Sequence, residues 1–159
     1  MSNDAFLMFK LAKEGFCCSQ IMVLMDLREK NIDNPELMKA LSGLCGGMGA
    51  SGNTCGVLSG GACLLGLYGG KGKPEEEKNP RLNEAIKEYI DWFKESQGNL
   101  ECREILGQET FEAMQQGVYP VNCANIMSAA YRKLKEIIDK LKDIKNERKD
   151  GKEDYGPLR

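Results

Sequence analysis

Histidine is absent from the 159 residues. With no imidazole, the chain has no Ser-His or Cys-His nucleophile pair, no histidine zinc ligand and no histidine axial ligand for haem. Charge of one sign is also lacking: 22 Lys and Arg stand against 24 Asp and Glu, a net charge of −2. A nucleic-acid partner needs a basic footprint, so none is expected. Aromatic residues are sparse at 7%, with a single tryptophan. No long apolar run suits a membrane span, and Met1 to Phe16 holds only the short run Ala5 to Phe9, without a basic leader or a small-residue cleavage site. Neither secretion nor membrane insertion is expected, and a cytoplasmic location is the default. In a reducing compartment, cysteine usually signals metal binding or redox chemistry rather than structural disulfides.

Cysteine is the conspicuous residue that is present. There are seven, an odd number, so at least one thiol stays unpaired within the chain. A content of 42% hydrophobic and 29% charged residues suits one compact domain, placed at residues 1–146 with a charged tail over 147–159. Nearly every segment reads as helix. Phe6, Phe9, Ala12, Phe16, Val23 and Leu27 recur at helical spacing over Asp4 to Arg28, and the other face is largely apolar too, which implies deep burial. Asn34-Pro35 and Asn79-Pro80 each offer an N-cap followed by proline, the second opening a helix over Arg81 to Gln97. Leu100 to Leu106 and Glu109 to Gln116 stop at Gly107 and Gly117, and Asn122 to Lys145 forms a last long helix. No segment alternates as a strand. The expectation is an all-α bundle of five to six helices around a glycine-rich buried helix and loop.

That glycine-rich part lies between Lys39 and Lys71, where the 31 residues carry no charge and 11 are glycine. Glycine weakens a helix by about 1 kcal/mol relative to alanine, so this density implies very close packing of neighbouring backbones or of something that is not protein. A buried helix is expected over Cys55 to Tyr68 behind a tight loop, followed by a solvated linker over Gly69 to Lys78. Beyond Tyr131 the chain has ten basic and seven acidic residues with Leu134, Ile138, Leu141 and Ile144 as a narrow stripe. This reads as a helix laid on the core and fraying after Asn146, with a homodimer helix as the alternative.

Gly47-Met48-Gly49-Ala50-Ser51-Gly52 spells G-x-G-x-x-G. The dinucleotide fingerprint needs a strand before it and an acid about twenty residues after it, and here a helical pattern precedes and a lysine-glycine loop follows. A close-packing turn is the better reading. The cysteines at 17, 18, 45, 55, 63, 102 and 123 form no C-x-x-C pair and no ferredoxin spacing. Thr54, Asn99 and Asn122 are candidate N-caps that place Cys55, Cys102 and Cys123 in first turns. Free amides and the helix dipole there lower a thiol pKa, which suits a reactive thiolate or a thiolate-ligated anionic cluster. Cys63 lies mid-helix and Cys45 lacks a helix-end setting, so both read as inert packing. Cys17 and Cys18 point about 100° apart, so one of them faces any shared site.

Taken together, Phe16-Cys17-Cys18-Ser19-Gln20, Gly46-Gly47-Met48-Gly49, Thr54-Cys55-Gly56-Val57-Leu58-Ser59-Gly60, Leu100 to Gly107 and Asn122-Cys123-Ala124 resemble the C_GCAxxG_C_C redox-active family over roughly residues 5–138. The one departure is Val57 where the family has alanine. The resemblance implies that the family's four cysteines fall on Cys18, Cys55, Cys102 and Cys123. The family is similar in turn to the N-terminal domain of split-Soret cytochromes, which implies an iron-sulfur centre. The expected function is therefore single-electron transfer through an iron-sulfur cluster on these four cysteines, with an unknown redox partner protein. Backbone at Gly47, Gly49, Gly56 and Gly60 would donate hydrogen bonds that tune the potential. A metal-free thiol-disulfide protein using two of the four cysteines and a structural zinc protein are the alternatives.

Overall fold

The computed structural model describes the backbone of residues 3–150 and the side chains of residues 3–143. Among the described residues there are eight helices and no strand: α1 (Asn3–Lys13), α2 (Cys18–Glu29), α3 (Pro35–Ser42), α4 (Gly56–Gly69), α5 (Leu82–Gln97), α6 (Cys102–Leu106), α7 (Gln108–Gln115) and α8 (Val121–Asp150). The all-α expectation holds, but the helix count exceeds five to six. The expected single helix over Asp4 to Arg28 is broken by Gly15, whose φ of +94° no helix accommodates, and restarts at Cys18. At the restart, the Cys17 N–H donates to Gln20 Oε1 at 3.0 Å, which satisfies one donor of the new helix end.

Apart from Gln20, every α2 residue from Ser19 to Leu27 is buried, so this helix has no solvent face to spare. Its one buried carboxylate, Asp26, accepts from Tyr68 Oη at 2.5 Å and from Lys30 Nζ at 2.8 Å. The glycine-rich α4 lies against α2, α5 and α8, and its contact with α2 is the most extensive between helices. Small residues make this possible. A Cβ at Gly60 would lie 2.6 Å from the Ser19 carbonyl oxygen, and one at Gly61 would lie 2.5 Å from the Tyr89 ring. Tyr89 is fully buried and its Oη donates to the Val57 carbonyl at 2.9 Å. On the same helix, Trp92 stacks on Tyr89 at 6.1 Å between ring centroids.

The helix ends follow the sequence signals with small shifts. Asn34 Oδ1 accepts from the Leu37 N–H at 3.1 Å, with Pro35 first in α3. Asn79 instead closes a turn on the Arg81 N–H at 2.9 Å, so α5 begins at Leu82 rather than Arg81. The solvated linker expected over Gly69 to Lys78 starts later, since Gly69 is buried as the last residue of α4 and residues 71–78 are all exposed. On α8, Leu134, Ile138 and Leu141 are buried in the main core, so the stripe is used within the chain. Ile144 lies outside the described side chains. The helix runs past Asn146 to Asp150, and the rest of the expected tail lies outside the described residues. Among the described residues, no helix is long and apolar enough to cross a membrane.

Candidate four-thiol site

The loop between α3 and α4 has an unusual backbone. Gly46, Gly47, Met48, Gly49 and Ala50 have φ values of +61°, +71°, +65°, +57° and +59°, five consecutive residues in the left-handed region. L-residues other than glycine each lose about 1–2 kcal/mol there, which explains why three of the five are glycine. The turn closes on itself through Met48 N–H to Leu44 O at 3.1 Å, Ala50 N–H to Cys45 O at 2.9 Å and Gly52 N–H to Gly46 O at 3.0 Å. The G-x-G-x-x-G spelling is thus a left-handed turn between helices, in agreement with the close-packing reading.

Beyond this turn, residues 52–55 run alongside residues 100–103. The Cys55 N–H donates to Leu100 O at 2.8 Å, the Cys102 N–H to Asn53 O at 2.6 Å and the Arg103 N–H to Gly52 O at 3.0 Å, around a single bridge between Thr54 and Glu101. This pairing brings Cys55 and Cys102 to one place although 46 residues separate them. Cys18 arrives with α2: a Cβ at Gly56 would lie 2.5 Å from its sulfur. Cys123 arrives with α8 and packs on the small cluster of Cys102, Leu106 and Phe111. The four thiols carried over from the family motif therefore share one region, each delivered by a different element.

Cys102 and Cys123 lie in first turns as expected, whereas Cys55 stands one residue earlier, and none of the three expected caps holds. Cys55 is itself the N-cap of α4, Glu101 rather than Asn99 precedes Cys102 at the start of α6, and Cys123 is the third residue of α8. The expected fall in thiol pKa does not follow. Burial pushes Cys55 up to about 12, with the charges of Cys18 and Cys102 adding to it, against the lowering effect of the Val57 and Leu58 N–H groups. Burial likewise raises Cys102 to about 11 and Cys123 to about 12, reinforced by Cys18 in both cases and by Cys55 and Cys102 in the second. Cys18 is also raised by burial, although the N–H groups of Gly46 and Ser19 favour its thiolate. Desolvation outweighs the helix-end amides at all four sulfurs.

Sequence reasoning missed two features here. Cys45, expected to be inert, is joined in a disulfide to Cys17 across 28 residues, with 5.9 Å between Cα atoms. With Cys17 bonded to Cys45, Cys18 is the member of the adjacent pair whose sulfur lies against Gly56. Nothing local in the sequence signals the pairing, since it depends on how α2 meets the left-handed turn. The second is Tyr119, whose phenol is raised by burial and by the charges of Cys123 and Cys18. Cys63 sits mid-α4 against the core, as expected of a packing residue. Of the four glycines, Gly47 abuts Cys102 and Gly56 abuts Cys18, whereas Gly60 packs on the Ser19 backbone. The Gly49 N–H is taken by Gly43 O at 2.9 Å and faces no thiol. Among the described residues, no three His, Cys, Asp or Glu side chains are arranged to hold a metal ion.

The all-helical bundle thus brings together cysteines from four elements, Cys55 and Cys102 buried and Cys18 and Cys123 half-buried. A family model described as "putative redox-active protein (C_GCAxxG_C_C)" matches residues 16–137, and the chain belongs to that family. No curated protein and no solved structure matches the chain.

Proposed function

We propose that this protein holds an iron-sulfur cluster on Cys18, Cys55, Cys102 and Cys123 and transfers single electrons to a partner protein. The observation that carries this reading is the gathering of four thiols with raised pKa values in one region, two of them buried and two half-buried. Burial is the largest influence on all four, the charge of neighbouring cysteines raises Cys55, Cys102 and Cys123 further, and no cation is among the causes. As free thiols they are poor nucleophiles at neutral pH, so the grouping makes little sense as a metal-free reactive site. Iron would supply the missing positive charge and hold all four as thiolates.

Four cysteines are the ligand set that iron-sulfur clusters take, and cluster binding would have to draw the four sulfurs closer, because in this conformation no three of the described side chains are placed to hold a metal ion. N–H groups of Gly46 and Ser19 at Cys18, and of Val57 and Leu58 at Cys55, supply hydrogen bonds of the kind that stabilise ligating thiolates. Bound iron and sulfide would supply a one-electron couple. Zinc would use the same donors without redox chemistry.

The test is metal and sulfide analysis with an optical spectrum, on protein purified without oxygen. Iron with matching sulfide and visible charge-transfer bands is the expected result, and Cys55→Ser should abolish those bands. Colourless protein free of iron overturns the reading. Reversible loss of two titratable thiols among Cys18, Cys55, Cys102 and Cys123 in iron-free protein would place the chemistry in a dithiol instead.

A further inference from the structure

Cys17 and Cys45 stand outside the four-thiol set, yet they adjoin it at both ends. Cys17 precedes Cys18 and caps α2. Cys45 precedes Gly46, the residue whose N–H donates to the Cys18 sulfur. Their bond therefore ties together the two segments that hold Cys18. Both residues are half-buried, and both line an open cavity of about 690 Å³ whose wall also includes Cys18 and Cys123. A reductant from solution can reach them there.

Their surroundings suit both oxidation states. The buried Ser19 hydroxyl donates to Leu41 O at 2.9 Å, and its oxygen lies 3.4 Å from the Cys17 sulfur and 3.2 Å from the Cys45 sulfur. With its own proton committed to Leu41, that oxygen has lone pairs left to accept from S–H groups. A pair of thiols would thus find an acceptor already in place. Across the bond, Cys45 opens the left-handed turn in which Met48 and Ala50 occupy a backbone region unfavourable to L-residues.

We infer that Cys17 and Cys45 form a second redox centre, a reversible dithiol-disulfide couple that exchanges two electrons with a dithiol reductant and thereby sets how firmly the left-handed turn is held over Cys18. A thiolate of the reductant attacks one sulfur and the Cys17–Cys45 bond breaks. The reductant's second thiol then resolves the mixed disulfide. The reductant leaves as a disulfide, and its two protons and two electrons end on Cys17 and Cys45. This couple does not depend on what the four thiols hold.

The experiment counts thiols in full-length protein equilibrated with mixtures of reduced and oxidised dithiothreitol, then denatured with a chelator before labelling. Denaturation releases any metal, so the four thiols are labelled whether or not they held a cluster. The count should rise from five to seven as one two-electron step, with mass spectrometry placing both new labels on Cys17 and Cys45. Helical circular dichroism should persist, and native labelling of Cys18 in metal-free protein should accelerate several-fold on reduction. Cys17→Ser and Cys45→Ser should each show six thiols that reduction leaves unchanged. Seven thiols under all conditions, a bond to another cysteine, or reduction only with loss of helix would each overturn the couple.

Discussion

At the residue scale, glycine in this protein does two separable jobs, and neighbouring positions isolate them. Gly47 and Gly49 share the left-handed backbone, but a Cβ at Gly47 would lie 2.5 Å from the Asn53 carbonyl oxygen and 2.9 Å from Cys102 Cβ, whereas one at Gly49 meets nothing within 4 Å. Gly49→Ala should therefore lose only the conformational term, about 1–2 kcal/mol. Gly47→Ala adds a clash with backbone and with a site cysteine, and should lose on the order of 3 kcal/mol or more. Urea unfolding of the two variants measures the difference directly. The sequence made these glycines conspicuous as close-packing residues. It could not rank them, because the ranking depends on residues 53 and 102 being near.

At the element scale, α4 shows what the charge-free, glycine-rich stretch achieves. Gly60 admits the α2 backbone, and with it the start of the helix that carries Cys18. Gly66, on the same helix, has open space around its missing side chain. Gly66→Ala should stabilise the protein by up to about 1 kcal/mol through helix propensity. Gly60→Ala should instead cost about 1–3 kcal/mol, since the obstructing atoms belong to the Ser19 backbone and cannot rotate away. Thermal unfolding should show opposite signs for the two substitutions. The burial of α4 and the Asn34 cap were legible in the sequence because both are local patterns. The break at Gly15 was less so: apolar spacing continues across it, and the backbone conformation that ends α1 leaves no mark on that spacing. Gathering of the four thiols was legible only through family resemblance, since a pairing between residues 52–55 and 100–103 has no periodic signature.

For the molecule as a whole, the buried thiols link stability to alkaline pH. In metal-free protein, Cys55 and Cys123 hold their protons up to about 12 and Cys102 up to about 11, while an unfolded thiol releases its proton near 9.0. A folded pKa raised in this way gives stability that is complete below the unfolded value and is lost as pH rises toward the folded one. The urea midpoint of metal-free protein should therefore fall steadily as pH is raised from about 9 to about 11, the range in which unfolding releases protons. A flat profile would mean that the thiols are not buried together. In a chain with no histidine, the starts of four helices deliver four sulfurs to a single region.

Trp92 is the only tryptophan. It stacks on Tyr89, whose hydroxyl is bonded to the Val57 carbonyl, two residues from Cys55. The molecule thus contains a fluorophore held close to its own thiol site. Its emission should be quenched when iron occupies the site and should recover on chelation, so that loading can be followed in real time without a label. In Tyr89→Phe, loss of the hydroxyl bond leaves quenching by distance-dependent energy transfer intact, because the indole stays where α5 puts it.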